Sequence, residues 1–100
     1  MSLFSVYKHT SPSGKVYIGI TSQALNRRWR NGHGYYENEH FSRAIQKYGW
    51  ENFSHEIIQD NLSFQNASEL EKALIERYKS NLSKFGYNRS AGGEQPAYRH

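Results

Sequence analysis

Two short alternating segments, Phe4-Ser5-Val6-Tyr7-Lys8-His9 and Lys15-Val16-Tyr17-Ile18-Gly19-Ile20, are joined by the turn-forming stretch Thr10-Ser11-Pro12-Ser13-Gly14. A connection this short can only join antiparallel neighbours, so the chain is expected to open with a β-hairpin. Side chains alternate across a strand, which puts Phe4, Val6, Val16, Ile18 and Ile20 in one set and Ser5, Tyr7, Tyr17 and Gly19 in the other. Both tyrosines are therefore expected on one sheet face, with Gly19 leaving open space near their hydroxyls. A cross-strand aromatic pair explains such a face structurally; a ligand pocket explains it functionally.

Beyond the hairpin, helical and strand periods alternate. A helix is expected from about Gln23 to Arg30, after candidate caps at Thr21 or Ser22, ending in Asn31-Gly32-His33-Gly34. A second, from about Glu39 to Tyr48, places Phe41, Ala44, Ile45 and Tyr48 on one face before Gly49 stops it. Phe53 to Gln59 reads as a third strand, and Ala67 to Ser80 as a last helix with Ala67, Leu70, Leu74, Ile75 and Tyr78 on its apolar stripe. The order β-β-α-α-β-α predicts an α+β fold: a small three-stranded antiparallel sheet flanked by helices.

One hundred residues, 36% of them apolar, allow one domain and exclude a two-domain enzyme. Tyr, Phe and Trp make up 15% of the chain, so rings must fill much of the core. Cysteine is absent, which excludes disulfide frameworks, thiolate metal clusters and cysteine nucleophiles. No apolar run approaches the ~20 residues of a membrane span, and the N-terminus lacks the pattern of a secretion signal, so the expected location is the cytoplasm. A net charge of +4 favours anionic partners such as nucleic acid.

Helical geometry then selects among the charged residues. In Asn26-Arg27-Arg28-Trp29-Arg30, Leu25 and Trp29 mark the buried side, so Arg28 points inward and Arg27 to solvent. An inward arginine can lay its stem on the core, or offer a planar guanidinium to a phosphate. On the last helix Glu71 falls in the middle of the apolar stripe, whereas Glu69 and Glu76 fall behind it. Either Ser68 and Glu71 form a capping box, or Glu71 holds a divalent cation. His33 and His40, flanking the glycine-rich connection, are candidate bases or proton relays. Asn88 either makes a local hydrogen bond or belongs to the same site.

Together these residues resemble the GIY-YIG nuclease family, whose two name-giving strand motifs correspond to Ser5-Val6-Tyr7 and Tyr17-Ile18-Gly19. The first departs from the family name at Ser5 and Val6 but keeps its tyrosine, and the second is intact. Arg28-Trp29 resembles the family's catalytic arginine, Glu71 its metal-binding glutamate, and Gly86-Tyr87-Asn88 the element that closes the domain. Where several members have a histidine four residues after the arginine, this chain has Gly32, followed by His33. The segments from Arg28 to Tyr35 and from His40 to Trp50 look most like the homing-endonuclease branch.

The resemblance implies a catalytic domain over residues 1–93, followed by a loose tail at 94–100. It also implies hydrolysis of phosphodiester bonds in double-stranded DNA, with one Mg²⁺ or Mn²⁺ held by Glu71. In that scheme Tyr7 receives or relays the proton of the attacking water, Tyr17 positions water or phosphate, Arg28 neutralises phosphate charge and Asn88 orients the metal side. Homing enzymes of this kind carry a separate DNA-recognition region, so one is expected outside this chain. Two alternatives remain open from sequence: a non-catalytic module binding nucleic acid or protein, and a structure-specific repair nuclease.

Overall fold

The computed structural model describes residues 3–90. β1 (Phe4–Thr10) and β2 (Val16–Thr21) form the expected hairpin. Its turn is closed by the Ser11 N–H donating to the Lys15 carbonyl and the Gly14 N–H donating to the Ser11 carbonyl, each at 2.9 Å. The chain continues through α1 (Leu25–Trp29), a 3₁₀ segment (Arg30–Tyr35), α2 (Glu39–Tyr48), a 3₁₀ turn (Trp50–Asn52), β3 (Ser54–Leu62) and α3 (Phe64–Tyr78). The strands are antiparallel in the order β2-β1-β3, so β1 is central. The α+β class and the element order agree with the sequence reading.

The register sets Val6 opposite Ile20, Tyr7 opposite Gly19, Lys8 opposite Ile18 and His9 opposite Tyr17. Opposed residues share a face, so the sheet separates two cores of different chemistry. On one side Val6, Val16 and Ile18 pack with Ala67 and Ile75 of α3. On the other, Tyr7 packs with Tyr35, Phe41, Phe53 and Tyr87, with Trp29 and Trp50 against them. Each ring removes roughly 150–250 Å² from water, which lets so small a chain sustain two cores. Tyr17 stacks on Phe41 at 4.6 Å between centroids, and Phe41 stacks on Tyr87 at 5.1 Å.

Three local expectations are corrected. α1 is shorter than predicted, because Arg30 (φ 49°) and Asn31 (φ 54°) turn left-handed and break it after Trp29. β3 runs on to Leu62, because irregularities in its pairing with β1 and the left-handed Asn61 (φ 59°) absorb the turn-like Asp60-Asn61 within the strand. α3 begins at Phe64, where Ser63 is the N-cap and accepts from the Asn66 N–H at 3.1 Å. Ser68 therefore lies inside the helix, and the Ser68–Glu71 capping box does not exist. Gly86 and Tyr87, in the element that the resemblance makes the closing one, line up beside β2: the Tyr87 N–H donates to the Val16 carbonyl at 2.9 Å. The glycine pair Gly92-Gly93 and the tail at 94–100 lie outside the described residues.

Candidate active site

A cleft of about 660 Å³ collects Tyr17 from β2, Arg28 from α1, Tyr35 from the 3₁₀ segment, Glu71 from α3, and Asn88 and Arg89 from the segment after α3. Arg27 and Arg30 also reach it, so four arginines face two carboxylates, Glu37 and Glu71, across its lining. The cleft is basic and suits an anion.

Arg28 is half-buried while Arg27 is exposed, as the helix period predicts. Its Nη1 donates to the Gly34 carbonyl at 2.7 Å, and its guanidinium lies 4.5 Å from the Tyr35 ring centre. A Cβ on Gly34 would meet the Arg28 carbonyl oxygen at 2.0 Å, so the chain can fold back onto Arg28 only with glycine there. Burial opposes the Arg28 charge, but the phenol oxygens of Tyr7, Tyr35 and Tyr17 outweigh it and hold the pKa above its usual value.

Tyr7 lies behind the cleft wall and is fully buried. Its ring fills the space over Gly19, where a Cβ would meet the ring and hydroxyl at 2.5 Å. The opening expected at Gly19 is thus taken by Tyr7 itself. The Tyr7 hydroxyl is hydrogen-bonded to that of Tyr35 at 3.0 Å. Burial raises the Tyr7 pKa and Glu71 adds to the rise, while Arg28 and the Tyr35 hydrogen bond pull it down. Burial likewise raises Tyr35 well above a normal phenol.

Glu71 is buried in the middle of α3 and opens on the cleft. With Ser63 capping the helix, Glu71 is not committed to its start. A divalent cation fits this residue, because Mg²⁺ commonly takes one or two protein carboxylates and completes its shell from water and substrate phosphate. Among the described residues no group of three or more His, Asp or Glu converges, so an all-protein cage is not what the cleft provides.

Asn88 is held in place by several bonds. Its Oδ1 accepts from the Ile18 N–H at 2.9 Å and from the Ser80 hydroxyl at 2.7 Å, and its Nδ2 donates to the Ile18 carbonyl at 2.8 Å. These contacts tie Asn88 to β2 between Tyr17 and Gly19. The two candidate histidines are placed elsewhere: His33 is exposed, His40 packs against Tyr87 at 4.9 Å, and neither lines the cleft.

Sequence reasoning missed His9, Tyr35 and His55. His9 is fully buried, with Nε2 at 3.0 Å from the Tyr35 hydroxyl and Nδ1 at 2.9 Å from His55 Nδ1. A signal existed for His9, which strand alternation places on the face of Tyr7. Burial, with lesser pushes from His55 and Arg28, drives its pKa down to about 2.

That depression has a measurable consequence. An unfolded histidine takes up its proton near ~6.5, whereas folded His9 does so only near about 2. Between those values the unfolded chain binds more protons, so stability falls as pH falls, by about 1.4 kcal/mol per pH unit once well below ~6.5. Urea midpoints are expected to drop steeply from pH 7 to pH 4, and His9→Phe to make that slope shallower. Parallel slopes for the two chains would contradict this account of His9.

A fixed guanidinium, a buried carboxylate and clustered phenols come together at one basic cleft, an arrangement chemically suited to an anion. The chain belongs to the GIY-YIG catalytic domain family, whose model matches residues 3–88, and that family is one of nucleases. No curated protein and no solved structure matches the chain. Among the described residues, no helix is long and apolar enough to cross a membrane.

Proposed function

We propose that this chain is a metal-dependent endonuclease domain that hydrolyses phosphodiester bonds in double-stranded DNA, of the homing-endonuclease type. The observation that carries this reading is the convergence of Arg28 and Glu71 on one basic cleft beside Tyr17 and Tyr35. Glu71 would hold Mg²⁺ or Mn²⁺, which when bound neutralises charge on the phosphate as a Lewis acid.

The chain's own groups divide the remaining work. Arg28 presents a planar pair of donors to the scissile phosphate, in an orientation fixed by the Gly34 carbonyl and the Tyr35 ring. Tyr17 positions the phosphate or the attacking water from the cleft wall. Tyr7 relays the proton of that water and, being buried, does so through the Tyr35 hydroxyl that donates to it. Asn88 acts by holding β2 beside Tyr17, because its amide is already engaged with Ile18 and Ser80. His33 and His40 have no part in this scheme.

Nicking of supercoiled plasmid with Mg²⁺ or Mn²⁺, and its loss in chelator, tests the reading directly; no nicking with either metal would defeat it. Within an active chain, Tyr7→Phe should lower the single-turnover rate by about 10²-fold or more, and Tyr17→Phe by less. If both phenylalanine variants cut at the wild-type rate, the rings matter and the hydroxyls do not.

Affinity is expected to be weak and nearly independent of sequence, because the cleft offers chiefly arginines, which suit phosphates rather than base edges. Four cleft arginines predict a slope of log affinity on log salt of about −3 to −4. Titration of random and selected duplexes at several salt concentrations measures it. Tight, salt-resistant binding to one sequence would show base reading within this domain and remove the need for a separate recognition region.

A further inference from the structure

Tyr36 directly follows the 3₁₀ segment and lines the cleft, yet it is 72% exposed, more than any other large apolar or aromatic residue among those described. Every other described tyrosine is buried or half-buried. Among the described residues neither its ring nor its hydroxyl has a partner. Its backbone is nonetheless fixed on both sides. Before it, Tyr35 is buried and hydrogen-bonded to Tyr7 and His9. After it, the Glu37 carbonyl accepts from Arg89 Nη1 at 3.1 Å. Asn38 donates from its N–H to the Tyr35 carbonyl at 3.0 Å and from Nδ2 to the Tyr87 carbonyl at 2.8 Å. A ring held out from a pinned backbone gives up little conformational freedom when a flat partner arrives.

Arg30 reaches the same cleft from a conformation that favours glycine. It caps α1 in the left-handed region (φ 49°, ψ 44°), where a Cβ is strained and glycine is the usual residue. The turn it starts, with Asn31 and Gly32 also left-handed, brings the chain back so that Gly34 lies against the Arg28 carbonyl and Tyr36 faces the cleft. An arginine there gives up some stability of the turn. What it supplies is an exposed guanidinium on the cleft that also holds the exposed ring, and among the described residues that guanidinium has no partner.

We propose that Tyr36 and Arg30 form a subsite for a nucleotide next to the scissile phosphate: Tyr36 stacks on a base that has left the duplex, and Arg30 pairs with that nucleotide's phosphate. The inference rests on the nuclease reading for its class of ligand, and narrows the preferred substrate to DNA with an unstacked base at the cut. Phosphates face outward on an intact duplex, so arginines alone would serve them. The faces of paired bases are covered by their neighbours, so an aromatic ring meets one only where a base is displaced. Every base has such a face, which keeps the subsite indifferent to sequence. A base that is already unpaired avoids the unstacking penalty and should bind best.

Binding measured in chelator, where metal-dependent cutting is off, tests the subsite. Three duplexes of one sequence are compared: fully paired, with one unpaired adenine, and with an abasic residue in place of that adenine. The wild-type chain should bind the unpaired adenine about tenfold tighter than the abasic residue, which has the same loosened backbone and no base to stack. Tyr36→Phe should keep that preference, and Tyr36→Ser should lose it. Arg30→Gln should weaken binding to all three and make the salt slope shallower by about one, with the preference retained. Equal wild-type affinity for the adenine and abasic duplexes, or a Tyr36→Ser chain that still prefers adenine, would overturn the stacking. An unchanged salt slope in Arg30→Gln would overturn the phosphate contact. A chain that shows the preference but nicks no plasmid in Mg²⁺ or Mn²⁺ loses the nuclease reading and keeps the subsite; one that nicks without the preference loses the subsite alone.

Discussion

Glu71→Gln is expected to lower metal-dependent nicking by at least about a thousandfold while the domain stays folded. Neutralising charge at a phosphate is worth several kcal/mol, and each ~1.4 kcal/mol is a factor of ten, so loss of the ligand should be near-complete. The substitution keeps the side chain's shape in a buried position, so the chain should still unfold in one thermal transition. The helix start gives no competing explanation, because Ser63 supplies the cap eight residues earlier in the chain. Nicking and thermal unfolding measured on the same preparation separate loss of metal from loss of fold. A folded Glu71→Gln chain that cuts at the wild-type rate would remove Glu71 from the proposed mechanism.

Arg28→Lys should cost about 10² to 10³-fold in cleavage rate, whereas Arg27→Lys should cost less than about threefold. Lysine keeps the charge at either position, so the contrast isolates geometry. At position 28 the guanidinium is held by the Gly34 carbonyl and the Tyr35 ring with its planar face already oriented. An ammonium group on a flexible stem cannot reproduce that plane. Arg27 is exposed and contributes charge alone, which lysine supplies equally well. Equal losses at the two positions would mean that the α1 face meeting the phosphate is not the one the structure presents.

How much of this was legible beforehand varied with the kind of order involved. The hairpin, the face shared by Tyr7 and Tyr17, the inward turn of Arg28 and the central place of Glu71 all follow from strand and helix periods. Those periods are local properties of the chain. Tyr35 was not legible, because it lies in a 3₁₀ segment after two left-handed residues, where no period connects it to Tyr7. His9 was on the right face, but its meaning depends on His55, 46 residues away across the sheet. The capping-box reading failed for a related reason: Ser68 matches the motif, while the helix start is fixed by Ser63 and by Phe64 packing on Phe4 with ring centres 5.3 Å apart. Asn88 was found by sequence, but its pairing with Ile18 could be seen only in three dimensions.

The Asn88–Ile18 pairing also sets an order of events. It joins positions 70 residues apart, so closing it requires one of the longest loops the chain can form. During synthesis the hairpin can form early, yet β2 keeps an open edge until residues 86 to 88 arrive to cover it. The cleft takes one wall from Arg28 and another from Asn88 and Arg89, so a partly made chain has no complete site. Cutting ability should therefore arise all at once near the end of folding, and a chain stopped before Gly86 would be inactive even with Tyr7, Tyr17, Arg28 and Glu71 all in place.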